Sequence, residues 1–276
     1  MKFKLPKTPA VRVKGKSFRL ASVDPDAATP FAHKHLNEDA AQARLLALRQ
    51  RLCTLQELLY AEQKRSLLIV FQALDTGGKD GAVRHLLTGV NPAGVQVISF
   101  KAPSDEELSH DFLWRIHART PKHGYIGVFN RSHYEDVLVT RVHGLVDEKM
   151  AKQRFDAINN FESLLTHNGT LILKFFLHIS KQEQAERLQE RLDDPNKNWK
   201  FDPNDIKERA HWDEYQHVFE DALRHCSTDF APWFVVPADR KWVRDLAIIE
   251  IVVAALEEMN PKPHPVTFDP KQQVII

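Results

Sequence analysis

A continuous apolar run, Leu67-Leu68-Ile69-Val70-Phe71, empties into a Gly-rich turn, Ala73-Leu74-Asp75-Thr76-Gly77-Gly78-Lys79-Asp80-Gly81. An apolar stretch without polar alternation predicts a strand buried on both faces, and residues 79–87 read as the helix that follows. A strand, a tight turn and a helix in that order make a phosphate-binding device. The glycines let backbone N–H groups approach phosphate oxygens, Lys79 adds a point charge, and the helix N-terminus adds partial positive charge. Against the pattern G-x-x-x-x-G-K-[ST], Ala73 replaces the first glycine and Asp80 replaces the hydroxyl residue. The carboxylates of Asp75 and Asp80 would repel a phosphate unless a divalent cation intervened, so the turn calls for Mg²⁺, with Mn²⁺ as its substitute.

Further strands are expected at residues 95–100, 125–129, 170–178 and 233–236, each separated by helical stretches at 104–119, 147–167, 181–192, 203–225 and 241–257. Residues 36–64 carry Leu45, Leu48, Leu52, Leu55, Leu58 and Leu59 at spacings of three and four, the pattern of an amphipathic helix. Such alternation predicts an α/β chain with a mainly parallel, five-stranded sheet covered on both faces, and ligands at the strand C-terminal ends. Residues 1–35 read as a basic N-terminal arm. Residues 36–276 read as a single domain, with a lid at about 181–205.

Composition removes several alternatives. With 38 Lys+Arg against 37 Asp+Glu the net charge is +1, which gives no case for a nucleic-acid or membrane partner. The two cysteines, Cys53 and Cys226, lack metal-ligand spacing and read as small core residues. The histidines, His33 with His35, His110 with His117 and His211 with His217 among them, show no zinc pattern. The start of the chain lacks the apolar stretch of a signal peptide. The longest apolar run, residues 246–256, is far short of the ~20 residues that cross a bilayer, so a cytoplasmic location is the expectation.

Two more constellations carry chemistry. After the strand at 125–129 comes Asn130-Arg131-Ser132-His133-Tyr134-Glu135-Asp136, where Glu135 or Asp136 is the candidate metal acid and Arg131 is placed to neutralise a transferring phosphate. Farther on, Arg187 and Arg191 lie four apart and precede Lys197, Trp199 and Lys200. A mobile basic segment of this kind closes over a polyanion and excludes water. A solvated helix face paired with Glu183, Glu186 and Glu190 is the plainer reading, and both stay open.

The chain resembles the family-2 polyphosphate kinases, on the stretches Ala73 to Gly81, Phe129 to Glu135, Arg191-Leu192-Asp193-Asp194-Pro195, Lys197-Asn198-Trp199-Lys200-Phe201 and Ala231 to Trp242. The resemblance implies a P-loop kinase-like three-layer sandwich with a helical lid and an N-terminal helical extension. It also implies reversible phosphoryl transfer, with Mg²⁺, between inorganic polyphosphate and AMP, ADP or other adenine or guanine nucleotides. Carried over by residue, Asp75, Lys79, Arg131, Glu135 and Arg191 are catalytic, with Asp75 and Glu135 at the metal. Thr76, Gly77, Gly78, Lys79, Asp80, Gly81, Asn130 and Arg141 bind phosphate or nucleotide, and Arg187, Lys197 and Lys200 grip polyphosphate. Many members carry Asp, Trp and Asn where this chain has Asn130, His133 and Glu135. The Asn and Glu version resembles the subgroup acting on both mono- and diphosphates. A homodimer or homotetramer is the expected assembly. The alternatives are a nucleoside monophosphate kinase with a triphosphate donor, and a non-catalytic nucleotide- or RNA-binding protein.

Overall fold

The computed structural model describes residues 4–31, 37–269 and 272–273. Readings that touch Met1, Lys2, His33, His35 and Leu36 lie outside the described residues. In chain order the elements are β1 (Val11–Arg12), α1 (Glu38–Glu62), β2 (Ser66–Ala73), α2 (Lys79–Leu86), β3 (Val95–Ser99), α3 (Asp105–Leu108), α4 (Trp114–His117) and β4 (Ile126–Asn130). They continue with α5 (Val139–Val142), α6 (Glu148–His167), β5 (Thr170–His178), α7 (Lys181–Asp193), α8 (Pro203–Ala210), α9 (Trp212–Cys226), β6 (Trp233–Pro237) and α10 (Lys241–Met259).

The strands form one sheet in the order β1-β6-β5-β2-β4-β3, parallel throughout except where β1 joins β6. All eight residues of β2 are buried, as its unbroken apolar run requires at the centre of a covered sheet. Helix α1 starts at Asn37, whose side chain accepts from the Ala40 N–H, and buries Leu45, Leu48, Leu52, Leu55 and Leu59. It packs on α10, which contacts α2, β5 and β6, while α6 lies on β5 and meets α9. From β2 the chain crosses first to β3 and β4 and later to β5 and β6. The crossovers therefore diverge at β2, which puts a crevice at its C-terminal end.

The sheet has six strands where five were expected. The sixth comes from the basic arm: Val11 pairs with Val235 and Arg12 with Phe234, and the Val13 N–H donates to Trp233 O at 2.9 Å. Two residues are too few to show a period in sequence. The helix expected over residues 104–119 is instead α3 and α4, because the Asp111 carboxylate accepts from the Leu113 N–H and offers the backbone a turn in place of the helix. The helix expected over 203–225 is interrupted at His211 (φ −88°, ψ 25°). Among the described residues, no helix is long and apolar enough to cross a membrane.

Candidate active site

The turn after β2 is shaped by two left-handed residues, Thr76 (φ 60°) and Gly78 (φ 91°). Between them Gly77 is required by space, since a Cβ there would lie 2.5 Å from the Ala73 Cβ and 2.8 Å from Leu74 O. The Gly77 N–H donates to Leu74 O at 3.0 Å and closes the turn. Lys79, the first residue of α2, folds back over the loop and donates its ammonium to Ala73 O (2.8 Å) and Leu74 O (3.3 Å). Burial and then the Arg131 charge lower its pKa, while Asp75, Glu135 and Asp80 pull the other way. Asp80, in the place of the usual hydroxyl residue, accepts from the Asn130 amide at 2.6 Å and so joins α2 to the end of β4.

Arg131 follows β4 with φ 62°, fixed by its N–H donating to Phe71 O at 3.1 Å. That conformation aims the guanidinium between two carboxylates, Asp75 at 3.1 Å and Glu135 at 3.8 Å. Burial alone would lower the Arg131 pKa, but Glu135 and Asp75 outweigh it and the group is held more firmly charged. Glu135 lines the cleft, whereas Asp136 turns toward Arg154 at 3.6 Å. The sequence left those two acids as alternatives, and only Glu135 shares a cleft with Asp75.

This cleft has a volume of about 270 Å³ and is walled by Asp75, Arg131, Glu135, Asp205, Arg209 and Tyr215, among others. Burial and the nearby Asp75 charge push the Asp205 carboxyl up to about 6, against the pull of Arg191. The arrangement is a tight loop with a half-buried lysine, and an arginine set among carboxylates. It suits a phosphate brought in with a divalent cation.

Other expected site residues fall elsewhere. Arg141 is buried and ion-paired with Glu148 (2.5 Å) and Asp221 (3.0 Å), and it does not line the cleft. Arg187 is also enclosed: it is only 8% exposed and commits its donors to Thr76 O, Ala238 O, Asp239 O and Glu183. Arg191 donates to Lys200 O (2.9 Å) and Asp205 (3.0 Å), at the edge of the cleft. Lys197 pairs with Glu190 and Asp194 on the surface, and Lys200 lies 5.0 Å from the ring centroid of Trp199, which is itself 79% exposed.

Sequence reasoning missed the support behind Arg131. Lys174, fully buried in β5, donates to the Tyr134 hydroxyl (2.8 Å), Glu162 (2.5 Å) and Cys226 O (2.7 Å). His133 and Tyr134 both reach the same Glu162, at 3.3 and 2.9 Å, and Ser132 accepts from Gln72 and from the Tyr134 N–H. Three consecutive residues after Arg131 are thereby pinned from below. The signal in the sequence was Lys174 itself, a charge inside the run Thr-Leu-Ile-Leu-Lys-Phe-Phe-Leu-His.

The family model for polyphosphate kinase 2 matches residues 35–264. An AMP/ADP-polyphosphate phosphotransferase from Meiothermus ruber is 48% identical over 255 residues, covering 92% of this chain and 94% of the relative. An ADP-polyphosphate phosphotransferase from Rhodopseudomonas palustris is 45% identical over 223 residues, covering 76% of this chain and 77% of the relative. The crystal structure of a polyphosphate kinase 2 from Arthrobacter aurescens TC1 superposes with a TM-score of 0.91 at 44% identity, covering 97% and 95% of the two chains. With most of its length matched by the family model, by relatives of this identity and by a superposing structure, the chain belongs to the polyphosphate kinase 2 family.

Proposed function

We propose that the protein transfers a phosphoryl group reversibly between inorganic polyphosphate and adenine nucleotides, taking both AMP and ADP as acceptors. The observation that carries this reading is the convergence of Arg131, Asp75 and Glu135 on one cleft at the end of β2, beside the loop that Lys79 folds over, in a chain 48% identical to an AMP/ADP-polyphosphate phosphotransferase. Phosphoryl transfer asks the protein for position and charge more than for covalent help. The N–H groups of residues 78–81 and the Lys79 ammonium cradle a phosphate, on the turn that the Gly77 N–H closes. Arg131 collects the charge of the group in transit, and Asp80 with Asn130 holds the loop against β4.

A divalent cation fits the donor set. Among the described residues, no group of three or more His, Cys, Asp or Glu could hold a metal ion by itself. Mg²⁺ takes one or two carboxylates from a protein and completes its shell with water and substrate oxygens. Asp75 and Glu135 supply hard oxygen donors to that shell, and Arg131 is their partner when the cation is away. When bound, the cation neutralises phosphate charge beside the two carboxylates. Mn²⁺ would serve in its place.

The deciding experiment incubates the protein with AMP or ADP, Mg²⁺ and polyphosphate, with ATP as the control donor. Formation of ADP and ATP from polyphosphate, abolished by EDTA and restored by Mg²⁺, is the expected result. Transfer to AMP from ATP alone would establish a nucleoside monophosphate kinase, and no transfer with retained nucleotide binding would establish a binding protein. We infer a homodimer or homotetramer as the working form, which light scattering tests.

A further inference from the structure

We propose that Arg187, with Arg244 beside it, is a positioning residue that sets the shape of the phosphate-binding loop from behind, rather than a residue that touches polyphosphate. The inference rests on the phosphotransfer reading above and assigns a different task to a residue expected in the lid. A loop that points its N–H groups at an anion must turn its carbonyls outward, and those carbonyls then need donors. Thr76 and Gly78, both left-handed, are where the turning occurs. Thr76 O accepts from Arg187 Nη1 at 3.0 Å, while Gly78 O, which takes the Ala82 N–H of α2 at 2.9 Å, has a second, longer contact from Arg244 Nη1 at 3.4 Å.

Both guanidiniums are themselves fixed. Arg187 Nη2 donates to Ala238 O (2.6 Å) and Asp239 O (3.1 Å), at the end of β6, while its Nε donates to Glu183 (2.7 Å). Arg244, on α10 and 3% exposed, is held by Asp245 through Nε (2.8 Å) and Nη2 (2.7 Å). A Cβ at Gly78 would collide with Arg244 Nη1, so the arginine also accounts for the glycine. A left-handed threonine persists only where its surroundings over-determine it, and Arg187 is part of that surrounding. The planar fork matters more than the charge, because one side chain must reach the P-loop and the β6–α10 turn together.

The test separates a brace from a contact. In Arg187→Lys the charge is kept and the fork is lost. A brace predicts that kcat falls by about 10²-fold, the scale of a small misplacement at a reacting centre. The salt dependence of the donor KM should stay unchanged, because no phosphate contact is removed. Wild-type kcat in Arg187→Lys, or a raised donor KM with a flatter salt dependence, overturns the proposal. Arg244→Lys should show the same kcat loss, and wild-type kcat there removes Arg244 from the pair. A measurement on the unmutated protein covers variants that fail to fold and needs no turnover. After phenylglyoxal treatment, peptide mapping should find Arg187 unmodified with or without polyphosphate. Modification of Arg187 in the free protein, with protection by polyphosphate, overturns the proposal even where the phosphotransfer reading stands.

Discussion

Lys79 donates two of its three ammonium hydrogens to carbonyls of its own loop, so it is preset over the turn and exchanges little packing when a phosphate arrives. Lys79→Ala should therefore lower kcat by about 10²-fold or more, the scale of losing one preorganised donor, while Tm moves by no more than about 4 °C. Asp75→Asn should act alike, because it removes charge from the cleft while Arg131 keeps Glu135. Turnover assays and thermal melts on the two variants check this, and wild-type turnover in either folded variant excludes its role. Asp136 gives a prediction in pH instead. Burial pushes its carboxyl up to about 6, against Arg154 and Arg115 and helped by Glu135. The folded chain then holds this proton more tightly than the unfolded chain, whose aspartates titrate near ~3.9. Folded-state stabilisation from protonation is full below about pH 4 and is lost as pH rises to about 6. Asp136→Asn, neutral throughout, should melt above wild type at pH 7, with the difference closing below about pH 4. Melting curves across that range decide it. An equal difference at both ends would contradict the assignment to this carboxyl.

Helix α7 divides into two halves with different attachments. Its start is anchored: the Ser180 N–H donates to the Asp239 carboxylate, Gln184 reaches Asp75 O, and Arg187 is locked under the loop. Its end and the turn Asn198–Lys200 are held by Arg191 to Lys200 O and Asp205, by Asn198 to the last α7 carbonyls and by surface pairs of Lys197, while α8 is tied back through Arg209 to Lys181 O and Gln184 and through Glu208 to His143 and Tyr215. We propose, on these contacts, that the lid expected at 181–205 begins beyond Arg187. Periodicity could show a basic helix but not which arginine turns inward, since Arg187 and Arg191 share one face and only tertiary contacts separate them. The same holds for β5, where Lys174 announces a buried partner but nothing local names Glu162. By contrast β2, its loop and α2 were legible to within two residues, because an unbroken apolar run and a Gly-rich turn act locally. For the outer half, Lys197→Ala and Lys200→Ala should each raise the polyphosphate KM and flatten its salt dependence, as fewer counterions are released. Arg191→Ala, at the cleft edge, should instead lose kcat, by about 10³-fold if it reaches the transferring group. Steady-state kinetics at two salt concentrations separate the cases. Unchanged donor KM in both lysine variants would return the segment to a solvated surface.

On the scale of the whole molecule, the first residues close the sheet and reach around to the back of the site. Beyond the β1 pairing, the Ser227 hydroxyl donates to Val13 O, the Leu20 N–H to Glu220, and Arg224 to Phe18 O. Val13, Leu20 and Val23 are buried. The Asp239 N–H donates to Pro25 O, and Arg240 grips Asp26 with two bonds of 2.7 Å. Asp239 accepts the N–H of Ser180, the N-cap of α7, and its carbonyl receives Arg187, so residues 11–26 brace the turn on which the phosphate loop leans. Nothing in a basic, weakly patterned segment announces this, because its partners, side chains as well as backbone groups, lie 200 or more positions away in sequence. Removing residues 1–26 would uncover the β6 edge, whose N–H and C=O groups become a template for pairing with other chains. It would also remove three buried apolar side chains, each contributing about 1.5–3 kcal/mol when fully buried, and uncover the core surface they pack on. The truncated protein should therefore melt well below the full chain and aggregate at concentrations where the full chain stays dispersed. Its kcat at low temperature should fall too, although every residue of the cleft is retained, because the 238–240 turn loses its outer support. Melting, light scattering and turnover on the truncated chain decide this. A truncated protein with full-length stability and kcat would show the segment to be a passive arm.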